Sequence, residues 1–246
     1  MIISLVNFTK IRDEEIQRVA RAINRQAEED FEPYWSMGAR LRLEGEVGRK
    51  PRPQRPAELR GDAILYLWDE VNVDDALGYH DATSRGIPYG FVFTELSKKL
   101  GEAWSVTLSH EALELIGDAN ANVLAAGPHP DPKQKGRTVF HWYEMCDAVQ
   151  NETYEIDGIA VSNFVLPLYF TEGEQIGGRN DFLGSRLRSF GVNPGGYVGF
   201  FDPKKNDMDT WEADERARRR MKLKSSAGLA RRSMRYRAIE ASLALR

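Results

Sequence analysis

The sequence predicts an α+β fold, in which a mixed β-sheet carries a long N-terminal helix and a second helix rich in chemistry-bearing residues, ahead of an irregular C-terminal part. Three observations predict it. Ile2–Phe8 alternates with β-branched residues, as a strand does. Ile16, Val19, Ala20, Ile23 and Ala27 then repeat at the helical period. Finally, strand-like segments at Ala63–Trp68 and Tyr89–Phe93 precede a helical pattern over Trp104–Gly117.

In the first half, Asp13 stands before Glu14 and Glu15 as a cap for the first helix, which Phe31, Pro33, Tyr34 and Trp35 end. Ala39–Leu43 reads as a second strand. Gly48–Pro56, with three prolines and four basic residues, reads as a solvated loop. Asp69–Asp75 is expected to be an acidic turn, Gly78–Gly90 a glycine-rich excursion and Ser97–Gly101 a turn.

Beyond Asp118 a polar, proline-rich segment runs to Gly136, followed by a strand at Thr138–Tyr143. Tyr154–Ile156 and Ile159–Val161 flank Asp157-Gly158, which is a hairpin signature. Phe164–Phe170 is apolar enough to be buried, Gly173–Gly196 reads as extended loop, and Asp209–Arg246 has the composition of a helix.

The 246 residues can bury a full core, and 41% hydrophobic with 29% charged residues is ordinary for a globular chain. No apolar run approaches the roughly 20 residues of a membrane span. Met1–Phe8 lacks a basic flank and reads as a strand rather than a signal peptide, so the expected location is cytoplasmic. The single Cys146 excludes an intramolecular disulfide and reads as a small buried hydrophobe.

The net charge of −3 is unevenly spread. Pro203 onward holds 13 basic and 6 acidic residues, net +7, against 21 and 31 before it, net −10. Two units are expected, an acidic body over residues 1–202 and a basic, helical tail over 203–246. The tail suits docking onto the acidic body of its own or a neighbouring chain, which would give self-association. Binding of nucleic acid is the competing use. No membrane partner is expected.

The chemistry concentrates in His110-Glu111-Ala112-Leu113-Glu114. Residues four apart project from adjacent turns of one helix face, so His110 and Glu114 can reach one ion, and Asp118 shares that side if the helix continues. Glu111 is rotated by one step and stands beside the ion. The surrounding Val106, Leu108, Ala112, Leu113, Leu115 and Ile116 make this face border a cavity rather than bulk water. Burying such a row is expensive unless a cation compensates it. Without burial, the same row would be an exposed acidic helix face. Thirty residues beyond Glu114, Glu144 and Asp147 lie in the aromatic stretch His141–Asp147, positioned to complete a helix-borne ligand pair. An ion pair with an arginine would explain Glu144 as well.

The His-Glu-x-x-Glu helix resembles a variant of the zincin metallopeptidases, whose signature is H-E-x-x-H, with similarity over roughly Met1–Asp147. A further resemblance is to bacterial and plant proteins that follow H-E-x-x-E with an E-x-x-D segment, here Glu144 to Asp147. The resemblance implies a zincin-like mixed sheet, an extended edge strand beside the cleft (expected at Ile87–Phe93), His110 and Glu114 as helix ligands and Glu111 as general base. It departs from the pattern at Glu114, which replaces the second histidine, and at Asn120, where metzincins place a third.

The implied function is a metal-dependent, metallopeptidase-like hydrolase acting on peptide or amide bonds, in a peptide or protein substrate, through a metal-activated water. Candidate metal ligands are His110, Glu114, Asp118, Glu144 and Asp147. The donor set suits Zn first, then Mn, Fe or Ca. Glu111 is the proposed base, and His80 or Tyr143 the stabiliser of developing negative charge, with Tyr79 and His141 as further options. A non-catalytic binding module with a structural ion is the alternative. His129, between prolines, is expected in solvent, and Arg179–Arg188 is expected to be a mobile loop, with the lining of a substrate cleft as the alternative.

Overall fold

A computed structural model describes residues 1–44, 61–69, 78–83, 86–134, 136–173, 178–215 and 217–218. The loop expected at Gly48–Pro56, most of the acidic turn at Asp69–Asp75 and the tail beyond residue 218 lie outside these.

The fold is α+β, with a mixed sheet as expected. Strand β1 (Ile2–Phe8) leads into α1 (Asp13–Arg25), whose expected stripe is buried throughout. The helix ends within the expected Phe31–Trp35 segment, at Trp35. It widens to π geometry over Gln26–Phe31 and continues as α2 (Glu32–Trp35), ending where Ser36 turns left-handed at φ 54°. Pro33 falls where the π segment hands over to the first turn of α2. Then come β2 (Arg40–Glu44), β3 (Ala63–Trp68), β4 (Gly78–Ala82), β5 (Pro88–Phe93), α3 (Thr94–Lys99) and α4 (Trp104–Gly117).

The first sheet has the order β2-β1-β3-β5-β4. All its pairings are parallel except β4 against β5. This corrects two expectations. Gly78–Ala82 is a strand, not part of a loop excursion, and the edge strand is β4 rather than Ile87–Phe93, which is internal. The supposed turn at Ser97–Gly101 is largely α3.

The period-2 alternation of the strands sorts their side chains onto two faces. Ile3, Leu5, Leu65, Leu67 and Val92 join α1 and α4 in an aliphatic core, while Tyr66, Trp68, Tyr79, Tyr89, Phe91 and Phe93 cluster separately. On β4, His80 alternates with Tyr79 and so lies on the α4 side. Gly78 permits the close approach of that helix, because a Cβ there would stand 2.9 Å from Glu111 Cγ.

The polar segment after α4 contains an unexpected strand, β6 (Leu124–Pro128), paired with β7 (Thr138–Trp142). The expected hairpin is β8 (Thr153–Ile156) and β9 (Ile159–Ser162), turning through Asp157 and Gly158 at φ 52° and 72°. Strands β10 (Tyr197–Asp202) and β11 (Asp207–Glu212) complete a second, antiparallel sheet of order β11-β10-β7-β6. This hairpin crosses the boundary expected at residue 202, and residues 209–212 are strand rather than helix. No helix among the described residues is long and apolar enough to cross a membrane.

Gln26, fully buried in the π segment, fastens the helices together. Its amide donates to the Ser162 carbonyl at 2.8 Å and to the Tyr154 hydroxyl at 3.1 Å, and its carbonyl accepts the Ser109 hydroxyl at 2.6 Å. Buried amides require such partners, and these join α1, α4 and the β8–β9 hairpin. The orientation of α4, and with it the site, is set there.

Candidate metal centre

Helix α4 is enclosed on nearly every side, unlike a surface helix with one apolar stripe. Its polar row is therefore carried inside. Glu114 is 0% exposed, Glu111 3% and His110 9%, with His80 from β4 at 1% and Glu144 and Asp147 at 9% and 3%. The last two arrive where the chain leaves β7 and turns through the short 3-10 segment Asp147–Val149. Met145, between them, packs over Gly117 at the end of α4; a Cβ on that glycine would collide with the Met145 side chain.

His110 Nε2 lies 3.1 Å from Glu114 Oε1 and 3.2 Å from Asp147 Oδ1. His80 Nδ1 lies 3.4 Å from Glu111 Oε2 and 3.6 Å from Glu114 Oε2, and its Nε2 is 3.9 Å from Glu144 Oε2. The Cys146 N–H donates to Glu114 Oε1 at 3.3 Å. His80 Nε2 and Glu114 Oε2 are both buried and make no hydrogen bond. Native interiors leave few such atoms, and each calls for an explanation.

The electrostatics carry the same tension. Burial works against the charge on His110, yet the carboxylates of Glu114 and Asp147 prevail and lift it to about 10. Burial likewise opposes the charge on His80, and Glu144, Glu111 and Glu114 outweigh it, raising that group also. Glu114 is pushed up, first by burial and then by its acidic neighbours, against the pull of His110. In the protein alone, protons gather where the negative charge is too dense.

Imidazole nitrogen and carboxylate oxygen suit Zn or Mn, and the orphaned atoms point inward. The residues present therefore fit a divalent cation, and two triads of ligand atoms each fall within 4.8 Å of one another: His110, Glu114 and Cys146; His80, Glu114 and Glu144.

Of the residues singled out from the sequence, His80, His110, Glu111, Glu114, Glu144 and Asp147 come together. Asp118 does not join them. The helix stops at Gly117, Asp118 swings to φ −144°, and its Oδ2 accepts the Val123 N–H at 2.7 Å. Tyr143 is occupied in packing, stacked on Phe170 at 4.3 Å and edge-on to Trp35. Tyr79 lies on the aromatic face of the sheet. His141 donates from Nε2 to the Pro128 carbonyl at 2.8 Å and packs against Phe190. His129 is buried against Phe200 rather than in solvent. Cys146 is buried as expected, but the sequence reading did not foresee its sulfur beside His110 and Glu114. Its neighbours in sequence, Glu144 and Asp147, were the available signal.

No protein-family model, curated protein or solved structure matches the chain.

Proposed function

We propose that the chain is a metal-dependent hydrolase of zincin-like architecture, acting on peptide or amide bonds. The observation that carries this reading is the convergence of His110, Glu111 and Glu114, from a single helix, with Asp147 in a buried cluster beside an antiparallel edge strand. That is the arrangement the resemblance leads one to expect, with β4 as the strand along which a substrate would lie.

His110, Glu114 and Asp147 would hold the ion. A divalent cation there supplies Lewis acidity and makes water a better nucleophile near neutral pH. Glu111 ligates nothing in this scheme and takes up a proton at Oε2. His80, 3.4 Å from that oxygen, fixes the direction of the carboxylate. The many carboxylates make the ion a weaker Lewis acid than one held by three imidazoles, so slow turnover is expected.

A structural ion in a non-catalytic protein is the second reading, favoured by the near-complete burial of the cluster. Replacing Glu111 separates the two. With a pool of fluorogenic peptides as substrate, Glu111→Gln is expected to lower turnover by about 100- to 10,000-fold while metal content is kept. Metal-loaded wild-type protein that cleaves no peptide, or a Glu111→Gln variant as active as wild type, would overturn the enzymatic reading.

A further inference from the structure

We propose that the cluster holds two divalent cations, bridged by the carboxylate of Glu114. This rests on the single-ion reading above and extends it with a second site formed by His80, Glu144 and Glu114 Oε2.

The two oxygens of Glu114 serve different imidazoles. Oε1 faces His110 Nε2 at 3.1 Å, and Oε2 lies beside the His80 ring, 3.6 Å from its Nδ1. The potential ligand atoms accordingly form two groups whose one shared member is Glu114. Asp147 stands on the His110 side and Glu144 on the His80 side.

The spacing on the second side suits an ion better than a hydrogen bond. His80 Nε2 and Glu144 Oε2 are 3.9 Å apart, beyond hydrogen-bond range. A cation about 2.1 Å from each would bridge that gap. The Nδ1 contact with Glu111 favours the tautomer in which Nδ1 carries the hydrogen and Nε2 the lone pair. This is the usual state of a ligating histidine oriented by a carboxylate behind it.

Charge points the same way. Among the described residues, the carboxylates of Glu111, Glu114, Glu144 and Asp147 converge on the two imidazoles of His80 and His110, and this density of acidic oxygens suits cations. His80 Nε2, in a 1%-exposed side chain, makes no hydrogen bond and is open to a ligand. Two ions sharing a carboxylate stand about 3.5–4 Å apart, close enough to clamp both oxygens of a hydrolytic displacement.

Elemental analysis of full-length protein saturated with Mn(II) and desalted tests this, together with electron paramagnetic resonance. Two ions per chain and an exchange-coupled Mn(II) pair signal are expected. His80→Gln and the nearly isosteric Glu144→Gln should each retain one ion and lose the coupled signal, with circular dichroism showing the fold intact. If His80→Gln fails to fold, Glu144→Gln decides alone. One ion in the wild type would overturn the second site and leave the hydrolase reading standing. Two ions that both survive in Glu144→Gln would place the second elsewhere and overturn this assignment. No ion at all would overturn both.

Discussion

Among the described residues, the partly buried polar cluster around Asn163 and the buried one around Glu114 are built on opposite principles. Around Asn163 the network closes on itself. The Asn163 amide donates to Glu152 at 2.7 Å and to Asp181 at 2.9 Å, and its carbonyl accepts the Phe164 N–H at 2.8 Å. Ser185 gives its hydroxyl to Asp181 at 2.8 Å, and Asn193 bonds both Glu152 and Ser185 at 2.7 Å. Neutral donors satisfy both carboxylates, and Arg179–Arg188 becomes a loop pinned through Asp181. Around Glu114 the contacts are longer, from 3.1 to 3.9 Å, acids outnumber bases among the described residues, and His80 Nε2 and Glu114 Oε2 make no hydrogen bond. A closed network rigidifies a fold, whereas an open one of this charge calls for a countercharge, which protons on its histidines or a bound cation can supply.

Chelation should expose that difference most strongly. At metal a thousandfold above its Kd, an ion that binds only the folded state adds about 4 kcal/mol. For a chain of this size that corresponds to roughly 10 °C in Tm. Thermal melts with and without EDTA are expected to differ by about that much, and coincident melts would erase the distinction between the clusters. Next in size, Asp181→Ala should cost about 3 kcal/mol by orphaning the donors on Asn163 and Ser185. The loss, read from urea midpoints, should be the same with and without EDTA, because no ion belongs to that network.

The histidines sharpen the comparison through pH. Where carboxylates crowd, His110 is lifted to about 10, whereas His141, buried among aromatic rings, is lowered to about 4. For His141 burial is the leading cause, with the Pro128 carbonyl opposing it. A histidine depressed from 6.5 to about 4 stays neutral in the folded protein while the unfolded chain takes up a proton. Stability is thus fully present above pH 6.5 and declines as pH falls towards 4, by on the order of 3 kcal/mol. His141→Gln, which keeps a donor for Pro128, should flatten that part of the profile when urea midpoints at pH 7, 5.5 and 4.5 are compared with wild type. An identical slope in both proteins would show that the effect does not come from this ring.

What could be read from the sequence was local. The stripe on α1, the Asp157-Gly158 turn and the limits of α4 follow from periodicity and turn chemistry, which act between near neighbours. Placing His110, Glu111 and Glu114 on one helix therefore needed no tertiary information. Strands β4, β6, β10 and β11 went unseen. Gly78-Tyr79-His80-Asp81-Ala82 and Leu124–Pro128 have little intrinsic strand character and are made strands by pairing with β5 and β7. Tyr197–Asp202 does have the composition of a strand, and its pairing with Phe140 and His141 spans a distance that local patterning does not reveal. His80 was visible as a candidate, but its place in the acidic cluster depends on the register of β4 against β5, where it faces Gly90. Register of that kind is a property of the assembled sheet.

Asp118 and Tyr143 test how sharply the open cluster is bounded. Four residues beyond Glu114, Asp118 would reach an ion on an unbroken helix, yet its carboxylate is engaged with the Val123 N–H. Asp118→Ala should cost about 1–2 kcal/mol by leaving that N–H without its partner, with metal content unchanged. Loss of the ion would mean that the ligand set extends past the helix end. Tyr143 should show the smallest effect. Its ring lies between Phe170 and Trp35, and removing only the hydroxyl leaves those contacts in place. Peptide turnover by Tyr143→Phe should stay within about twofold of wild type, since losing a donor aimed at developing charge typically costs about 100-fold or more. A loss of that size would place the hydroxyl at the reacting group, and would mean that the aromatic stack opens when substrate binds.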